Sequence, residues 1–301
     1  MLADQTIRMT EESSPQRLPE FVTLDDGRMT VAAERLPLLR AMGWESFDKV
    51  MTLTGGETKR DFPGRKTVRL EVPAAGGVVG AVYLKRYERN YLSLGRRWLR
   101  RLGWPSAQDE AGREWQGLLA MCPIGIATAT PIAMGQQQRE GVVERSFLLT
   151  AEIVGGIEGG LYAQGLAPAA RERFLLQVAA LASKFHRAGW VHKDFYISHV
   201  LVVPPATPAS EPQLFLIDLQ RAIQPRCCGE RWVIKDLAAL AYSALKHKAS
   251  PRALYRAYLT YSAQGKLDAV ERAFVRKILR RVAWLKTRTP RHDKDFQQLR
   301  S

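Results

Sequence analysis

The segment VHKDFYISHVLV (191–202) carries several ionisable side chains between apolar residues that are typical of short strands. Its ionisable residues are His192, Lys193, Asp194 and His199. A further carboxylate, Asp218, follows the apolar run LFLI (214–217). Because unpaired charges are costly to bury in a strand, these residue types favour a catalytic loop followed by a second acidic position. For His192 alone, a buried histidine with satisfied hydrogen bonds is the structural alternative.

Transfer of a phosphoryl group from ATP requires side chains of these types. A lysine holds the phosphates, an acidic residue on a helix fixes the lysine, one aspartate orients the attacking hydroxyl and another carboxylate holds Mg²⁺. The chain supplies them in that order as Lys85, Glu114, Asp194 and Asp218. Each residue alone has a structural explanation, and Glu110 is one helical turn from Glu114. The order of all four nevertheless indicates an ATP- and Mg²⁺-dependent phosphotransferase.

The elements that must position these residues differ between the two halves of the chain. In the first half, alternating apolar and polar residues predict an antiparallel hairpin from 66–72 and 78–87, with Lys85 on its second strand. Helical periodicity over 109–122 places Glu114 on a helix. In the second half, a long amphipathic helix over 169–189 precedes the catalytic loop, and a strand over 213–221 carries Asp218.

This distribution predicts an α+β fold with two lobes, as in protein kinases. The expected parts are a flexible N-terminal tail (1–26), a β-rich N-lobe (27–155) and a helical C-lobe (156–301). The C-lobe would contain the catalytic loop and the metal-binding aspartate.

The composition points to an anionic partner. The 301 residues are 46% hydrophobic and 25% charged, and the formal net charge is +15 with a pI of about 10.0. Such a charge favours a polyanionic ligand or surface. Three cysteines without CxxC spacing indicate neither a disulfide framework nor a zinc site. The polar N-terminus and the lack of a long apolar run lead us to expect a cytoplasmic protein, in peripheral contact with the inner membrane leaflet.

Four segments resemble the lipopolysaccharide core kinases of the Kdo/WaaP family. They are HKDFYISHVLV (192–202), LFLIDLQRA (214–222), RWVIKDLAAL (231–240) and the hairpin region GETKR…KTVRLEV…VYLKRY. The resemblance extends over about residues 50–245. Members of this family phosphorylate heptose or Kdo sugars of the lipopolysaccharide inner core with a fold similar to that of protein kinases. The implied function is therefore ATP-dependent phosphorylation of such a sugar hydroxyl.

The resemblance also implies roles for individual residues. Asp194 would accept the proton of the sugar hydroxyl, beside His192 and Lys193 in the catalytic loop, and Asp236 would support that loop from a helix. The residues expected to contact ATP or its metal are Lys85, Glu114 and Glu152 for ATP, and Asp218 and His199 for Mg²⁺. Since imidazole is a poorer Mg²⁺ ligand than an oxygen donor, we expect His199 to contact phosphate or to bind metal weakly.

No GxGxxG motif precedes Lys85, so the phosphate-covering loop must have another form. The segment TGGETKR (54–60) is the candidate, because Gly55 and Gly56 allow backbone amides to approach a phosphate. An ordinary hairpin turn is the alternative.

The acceptor is expected to be an anionic glycolipid or sugar. Only 18 positions separate Asp218 from Asp236, which leaves little room for a peptide-docking segment. The basic segment 88–104, with Trp98 among its arginines, is expected to dock on anionic headgroups, and a solvated helix face is the alternative. A kinase of a small molecule or of protein tyrosine, a pseudokinase scaffold and a nucleic-acid-binding protein are the other possible functions. No nucleic-acid-binding motif is present, so nucleic acid is not an expected partner.

Overall fold

The first element in the described part of the chain is a strand that lies within the predicted tail. The computed structural model describes residues 19–73, 79–88, 110–139, 142–207, 210–227 and 229–288. Within the predicted tail (1–26), residues Phe21–Leu24 form strand β1, which pairs with β2 (Met29–Ala32). The prediction of a tail over these residues was wrong because strand pairing depends on partners elsewhere in the chain. The predicted docking segment 88–104 lies, apart from Glu88, outside the described residues.

An antiparallel sheet organises the N-lobe. Among the described residues it has seven strands in the order β1-β2-β6-β7-β5-β4-β3. The remaining strands are β3 (Glu57–Phe62), β4 (Arg65–Pro73), β5 (Val79–Glu88), β6 (Pro131–Arg139) and β7 (Val142–Ala151). The predicted hairpin is present as β4 and β5, and its register places Thr67 opposite Lys85.

The two faces of this sheet have different partners. Directly opposite residues of an antiparallel pair share a face, so Thr67 and Lys85 lie on one side and Val68 and Leu84 on the other. The Val68 face is buried against helices α1 (Leu36–Ala41) and α2 (Phe47–Thr52). The Lys85 face carries helix α3 (Glu110–Met121), whose glutamate reaches the lysine. Lys85 and the polar residues that share its face are therefore on the α3 side.

The C-lobe consists of five helices and a small sheet within the described residues. The helices are α4 (Gly159–Gly165), α5 (Pro168–Arg187), α6 (Gly229–Lys246), α7 (Pro251–Ser262) and α8 (Ala269–Arg288). The strands are β8 (Ile157–Glu158), β9 (Val200–Val203) and β10 (Gln213–Leu216), in the order β10-β9-β8. No helix in the described part of the chain is long and apolar enough to cross a membrane.

The strand β10 is shorter than predicted and ends at Leu216 instead of residue 221. Asp218 has a left-handed backbone conformation, with φ 59° and ψ 50°, and a 3-10 turn (Leu219–Arg221) follows it. A non-glycine residue in this conformation cannot continue a strand. The resulting turn aims the Asp218 side chain away from the ladder and starts the connection to α6.

Helix α3 approaches this turn closely at a glycine. A Cβ atom on Gly117 would lie 2.8 Å from Leu219 Cβ and 3.2 Å from the Leu219 backbone oxygen. Neither atom belongs to a flexible side-chain end, so relief would require the helix or the turn to move. Gly117 thus sets the distance between the helix that carries Glu114 and the turn that begins at Asp218.

Replacement of this glycine tests the close contact. Although alanine favours an isolated helix by about 1 kcal/mol, we expect Gly117→Ala to lower the free energy of unfolding by about 1–2 kcal/mol through overpacking. Denaturant unfolding measures the effect. The control is Gly265→Ala, because nothing lies within 4 Å of the added atom there. Equal or greater stability of Gly117→Ala than of wild type would contradict the contact.

Candidate active site

Lys85 and Glu114 form an ion pair between the sheet and α3. The Lys85 Nζ atom lies 2.5 Å from Glu114 Oε1, and the Glu114 side chain is only 3% exposed. The Tyr87 hydroxyl donates to the other carboxylate oxygen at 3.5 Å. Burial and the Glu114 charge raise the pKa of Tyr87, so this hydroxyl stays a donor. The structure therefore pairs the predicted lysine with the predicted Glu114.

The catalytic loop is fixed from below by Asp236 on α6. The fully buried carboxylate accepts the His192 backbone N–H at 2.6 Å. The His192 ring donates its Nε2 proton to the Ile217 backbone oxygen at 3.0 Å, since a carbonyl can only accept. Burial lowers the pKa of His192, so the ring is neutral and its role is to connect the loop to the strand end before Asp218.

Asp218 and His199 converge on one position. The His199 Nδ1 atom donates to the Asp194 backbone oxygen at 2.7 Å, which leaves Nε2 as the ring nitrogen that faces Asp218. That Nε2 lies 3.7 Å from Asp218 Oδ2. Burial acts to raise the pKa of Asp218, but nearby positive charges, first that of Lys85 and also that of Arg65, hold the pKa below its usual value.

The donor set at this position fits a metal ion. The Asp218 Oδ1 atom is buried and has no hydrogen-bond partner in the described part of the chain, as expected for an oxygen that awaits a cation. Across the described residues, no group of three or more His, Cys, Asp or Glu side chains is placed to hold a metal. Two protein ligands are typical of Mg²⁺ sites in which phosphate oxygens and water complete the coordination.

Two cations contact the Asp194 carboxylate. Arg221 Nη1 lies 2.5 Å from Asp194 Oδ2, and Lys235 Nζ lies 3.5 Å from Oδ1. The sequence analysis missed both residues, although each stands close to a predicted site residue, in DLQR and in KDL. The neighbour of Lys193 is a different residue, Trp232. The Lys193 ammonium group lies 5.2 Å from the centre of the Trp232 ring.

The hairpin tip nearest the Lys85 strand end is the turn between β3 and β4. Gly64 in this turn has φ +76°, and its backbone oxygen accepts the Glu88 N–H at 2.9 Å. The neighbouring Arg65 guanidinium lies 5.5 Å from the centre of the Tyr87 ring. Since the charge of Arg65 also acts on Asp218, this turn is close to the candidate metal position.

Gly55 and Gly56 precede β3 and line a cavity of about 640 Å³ that Gly64, Arg65 and Arg86 also line. Arg86 follows Lys85 on β5 and therefore points to the opposite face of the sheet. Contact of Gly55 and Gly56 with ATP stays a prediction.

Glu152 follows β7 and has an ion-pair partner. Its carboxylate accepts two hydrogen bonds from Arg69, at 2.6 and 2.8 Å. These bonds lower the pKa of Glu152 although burial opposes them. Arg69 lies opposite Tyr83 on the Lys85 face of the hairpin, so the pair is on the expected nucleotide side. The side chain is thus engaged with protein, and its contact with ATP stays a prediction.

Comparisons with known proteins bear on the family of this chain. Residues 62–261 match the model of the lipopolysaccharide kinase (Kdo/WaaP) family. The lipopolysaccharide core heptose(I) kinase WaaP of Pseudomonas aeruginosa is 29% identical over 73% of this chain and 81% of the relative. WaaP of Escherichia coli is 28% identical over 76% of this chain and 86% of the relative.

A solved structure, WaaP in complex with acyl carrier protein, has the same fold. Its TM-score is 0.63 at 26% identity, and the match covers 90% of this chain and 98% of that one. The predicted α+β fold, with a β-rich N-terminal region and a helical C-terminal region, is confirmed. The sequence, the fold and the match of residues 62–261 together show that the chain is a phosphotransferase that belongs to the lipopolysaccharide kinase (Kdo/WaaP) family.

Proposed function

We propose that this protein transfers the γ-phosphoryl group of ATP to a heptose hydroxyl of the lipopolysaccharide core. The observation that carries the proposal is the arrangement of Asp194 and Asp218, which one buried network holds beside the Lys85–Glu114 pair. The relatives named as heptose(I) kinases favour heptose over Kdo.

The residues of the site divide the reaction between them. Lys85, held by Glu114, binds phosphate oxygens, and Asp194 orients the acceptor hydroxyl and takes its proton. As the acceptor oxygen bonds to the γ-phosphorus, the bond to the bridging oxygen breaks and its electron pair leaves with ADP. Asp218, with His199, would hold Mg²⁺, which neutralises charge on the phosphates when it is bound.

Variants of three residues separate these roles. A positioned base contributes about 10²–10⁴-fold, so we expect Asp194→Ala to lose turnover by that factor and to keep ATP affinity. Lys85→Ala weakens ATP binding as well, because the lysine holds the phosphate oxygens. It also leaves the buried Glu114 without its cationic partner. Asp218→Asn abolishes Mg²⁺-dependent turnover in a folded protein. Phosphate transfer to core oligosaccharide, nucleotide binding and unfolding midpoints measure the three effects.

The opposite pattern would reverse the assignment. If Asp194→Ala lowers ATP affinity but not the rate with bound ATP, Asp194 is not the base. Wild-type activity of Asp218→Asn would exclude Asp218 as the metal ligand.

We further propose that the acceptor is approached at the cytoplasmic face of the inner membrane. The support is the net charge of +15 and the arginines of segment 88–104, namely Arg96, Arg97, Arg100 and Arg101. Basic residues near an anionic leaflet each contribute about 1 kcal/mol, within a Debye length. Trp98 among them is typical of an interfacial helix.

Vesicle co-sedimentation tests this contact. Replacing the four arginines with glutamine is expected to weaken binding to anionic vesicles by several kcal/mol, about 1 for each arginine that reaches the headgroups. Activity on a soluble oligosaccharide fragment should be kept. Equal binding of wild type to anionic and neutral vesicles, or an unchanged quadruple variant, would leave the segment as a solvated face.

An acyl carrier protein is a second proposed partner, because the solved relative is a complex with one. The supporting feature here is an apolar cavity of about 540 Å³ between α5, α6, α7 and α8, lined by residues such as Val178, Leu240 and Ile278. A cavity of this kind suits a hydrocarbon chain, since each buried CH₂ group contributes about 0.8 kcal/mol.

A comparison of acylated with unacylated carrier protein tests this proposal. We expect a long-chain acyl carrier protein to bind more tightly than the unacylated form, and Ala241→Phe, which fills the cavity, to remove the difference. Fluorescence anisotropy with labelled carrier protein measures both affinities. Equal binding of the acylated and unacylated forms to wild type would exclude the cavity as an acyl site.

A further inference from the structure

Each of the two carboxylate oxygens of Asp194, the proposed base, has a cation next to it. Arg221 contacts one oxygen of Asp194 at 2.5 Å and Lys235 approaches the other at 3.5 Å. The phosphorylation reaction requires that one of these oxygens faces the acceptor hydroxyl. A carboxylate oxygen has more than one lone pair, so the hydroxyl can share an oxygen with a cation, but a cation that turns away from Asp194 when the acceptor binds needs another anion to contact.

Positive charge at this place exceeds what Asp194 neutralises. Arg221 and Lys235 both contact the Asp194 carboxylate, and the charges of these two cations also act on Lys193. Burial, and then the charges of Arg221 and Lys235, lower the pKa of Lys193, which reflects the mutual repulsion. A ligand that brings a negative group would relieve this repulsion.

The side chains of Arg221 and Lys235 differ in their exposure to solvent. The Arg221 side chain is 52% exposed and ends the 3-10 turn after Asp218. The Lys235 side chain is 26% exposed and lies on α6, with its ammonium group 5.9 Å from the centre of the Trp232 ring. Although its contact with Asp194 is the shorter of the two, Arg221 has the more exposed side chain and is therefore the residue with room to turn towards a ligand. Its planar guanidinium group binds a carboxylate or a phosphate through two parallel hydrogen bonds.

We infer that Arg221 binds an acidic group of the acceptor, a carboxylate or a phosphate next to the reacting hydroxyl, and that Asp194 occupies this position until the acceptor arrives. The inference rests on the proposed function and specifies its substrate class, a sugar alcohol beside an acidic group. Arg221 exchanges one anion for another, so an ion pair is kept while an Asp194 oxygen becomes available to the hydroxyl. Arg221 is thus a specificity-determining residue.

The test compares acceptors that differ in one acidic group. The probes are O-deacylated core oligosaccharide without heptose phosphate, the same glycan with its carboxylates reduced to alcohols, and the same glycan with its remaining phosphates removed. For wild type at saturating ATP, we expect removal of the recognised group to raise the acceptor KM by about 10- to 100-fold. If reduction of the carboxylates raises the KM, the recognised group is a carboxylate. If removal of the phosphates raises it, the recognised group is a phosphate.

Arg221→Gln should raise the KM for the intact glycan by the same factor and leave the KM for the glycan without that group unchanged. Arg221→Lys, which keeps the charge, should recover part of the loss. The matched control is Arg256→Gln on α7. The Arg256 side chain is also 52% exposed and contacts a carboxylate, that of Glu172, at 2.5 Å. This control should behave as wild type on every acceptor.

The possible failures can be told apart. If wild type has the same KM for all three glycans, or Arg221→Gln loses activity equally on all of them, the inference is wrong and the proposed function stands. If wild type phosphorylates none of the glycans, the proposed function fails and the inference falls with it.

Discussion

One buried carboxylate, that of Asp236, determines the geometry of the catalytic loop. Hydrogen bonds must offset the burial of such a polar group, and one oxygen of Asp236 accepts the His192 backbone N–H at 2.6 Å and lies 3.4 Å from His186 Nε2. The His192 ring then bonds to Ile217, the residue before Asp218. Through these two hydrogen bonds the same carboxylate fixes the start of the loop and the end of β10. The separation of Asp194 and Asp218 follows from it.

The N-lobe reaches this centre through the Lys85–Glu114 pair and the contact of Gly117 with Leu219. Breaking a buried ion pair costs about 3–5 kcal/mol, because the remaining charge stays unpaired. The pair therefore holds α3 against the sheet, and the glycine three residues later holds α3 against the turn after Asp218. A lysine from the first lobe and an aspartate from the second are thereby brought close enough for the Lys85 charge to lower the pKa of Asp218.

The sequence by itself determined the features that depend on neighbouring residues. Alternation of apolar and polar residues fixed the hairpin that carries Lys85, because a strand has one buried face and a two-residue period. The helix over 169–189, observed as Pro168–Arg187, follows from the helical period of its apolar residues. The local motifs around Asp194 and Asp218 indicate the family without any knowledge of tertiary contacts, because each motif lies within one short segment.

Only the tertiary structure decided which distant side chains meet. Glu110 and Glu114 lie on one helix one turn apart, and the packing of α3 against the sheet turned Glu114 towards Lys85. Arg221 and Lys235 are 27 and 41 residues from the carboxylate that they contact. No local periodicity encodes such a contact, because it results from the way the turn after β10 and the start of α6 fold back on the catalytic loop. These two contacts are therefore visible only in the folded chain.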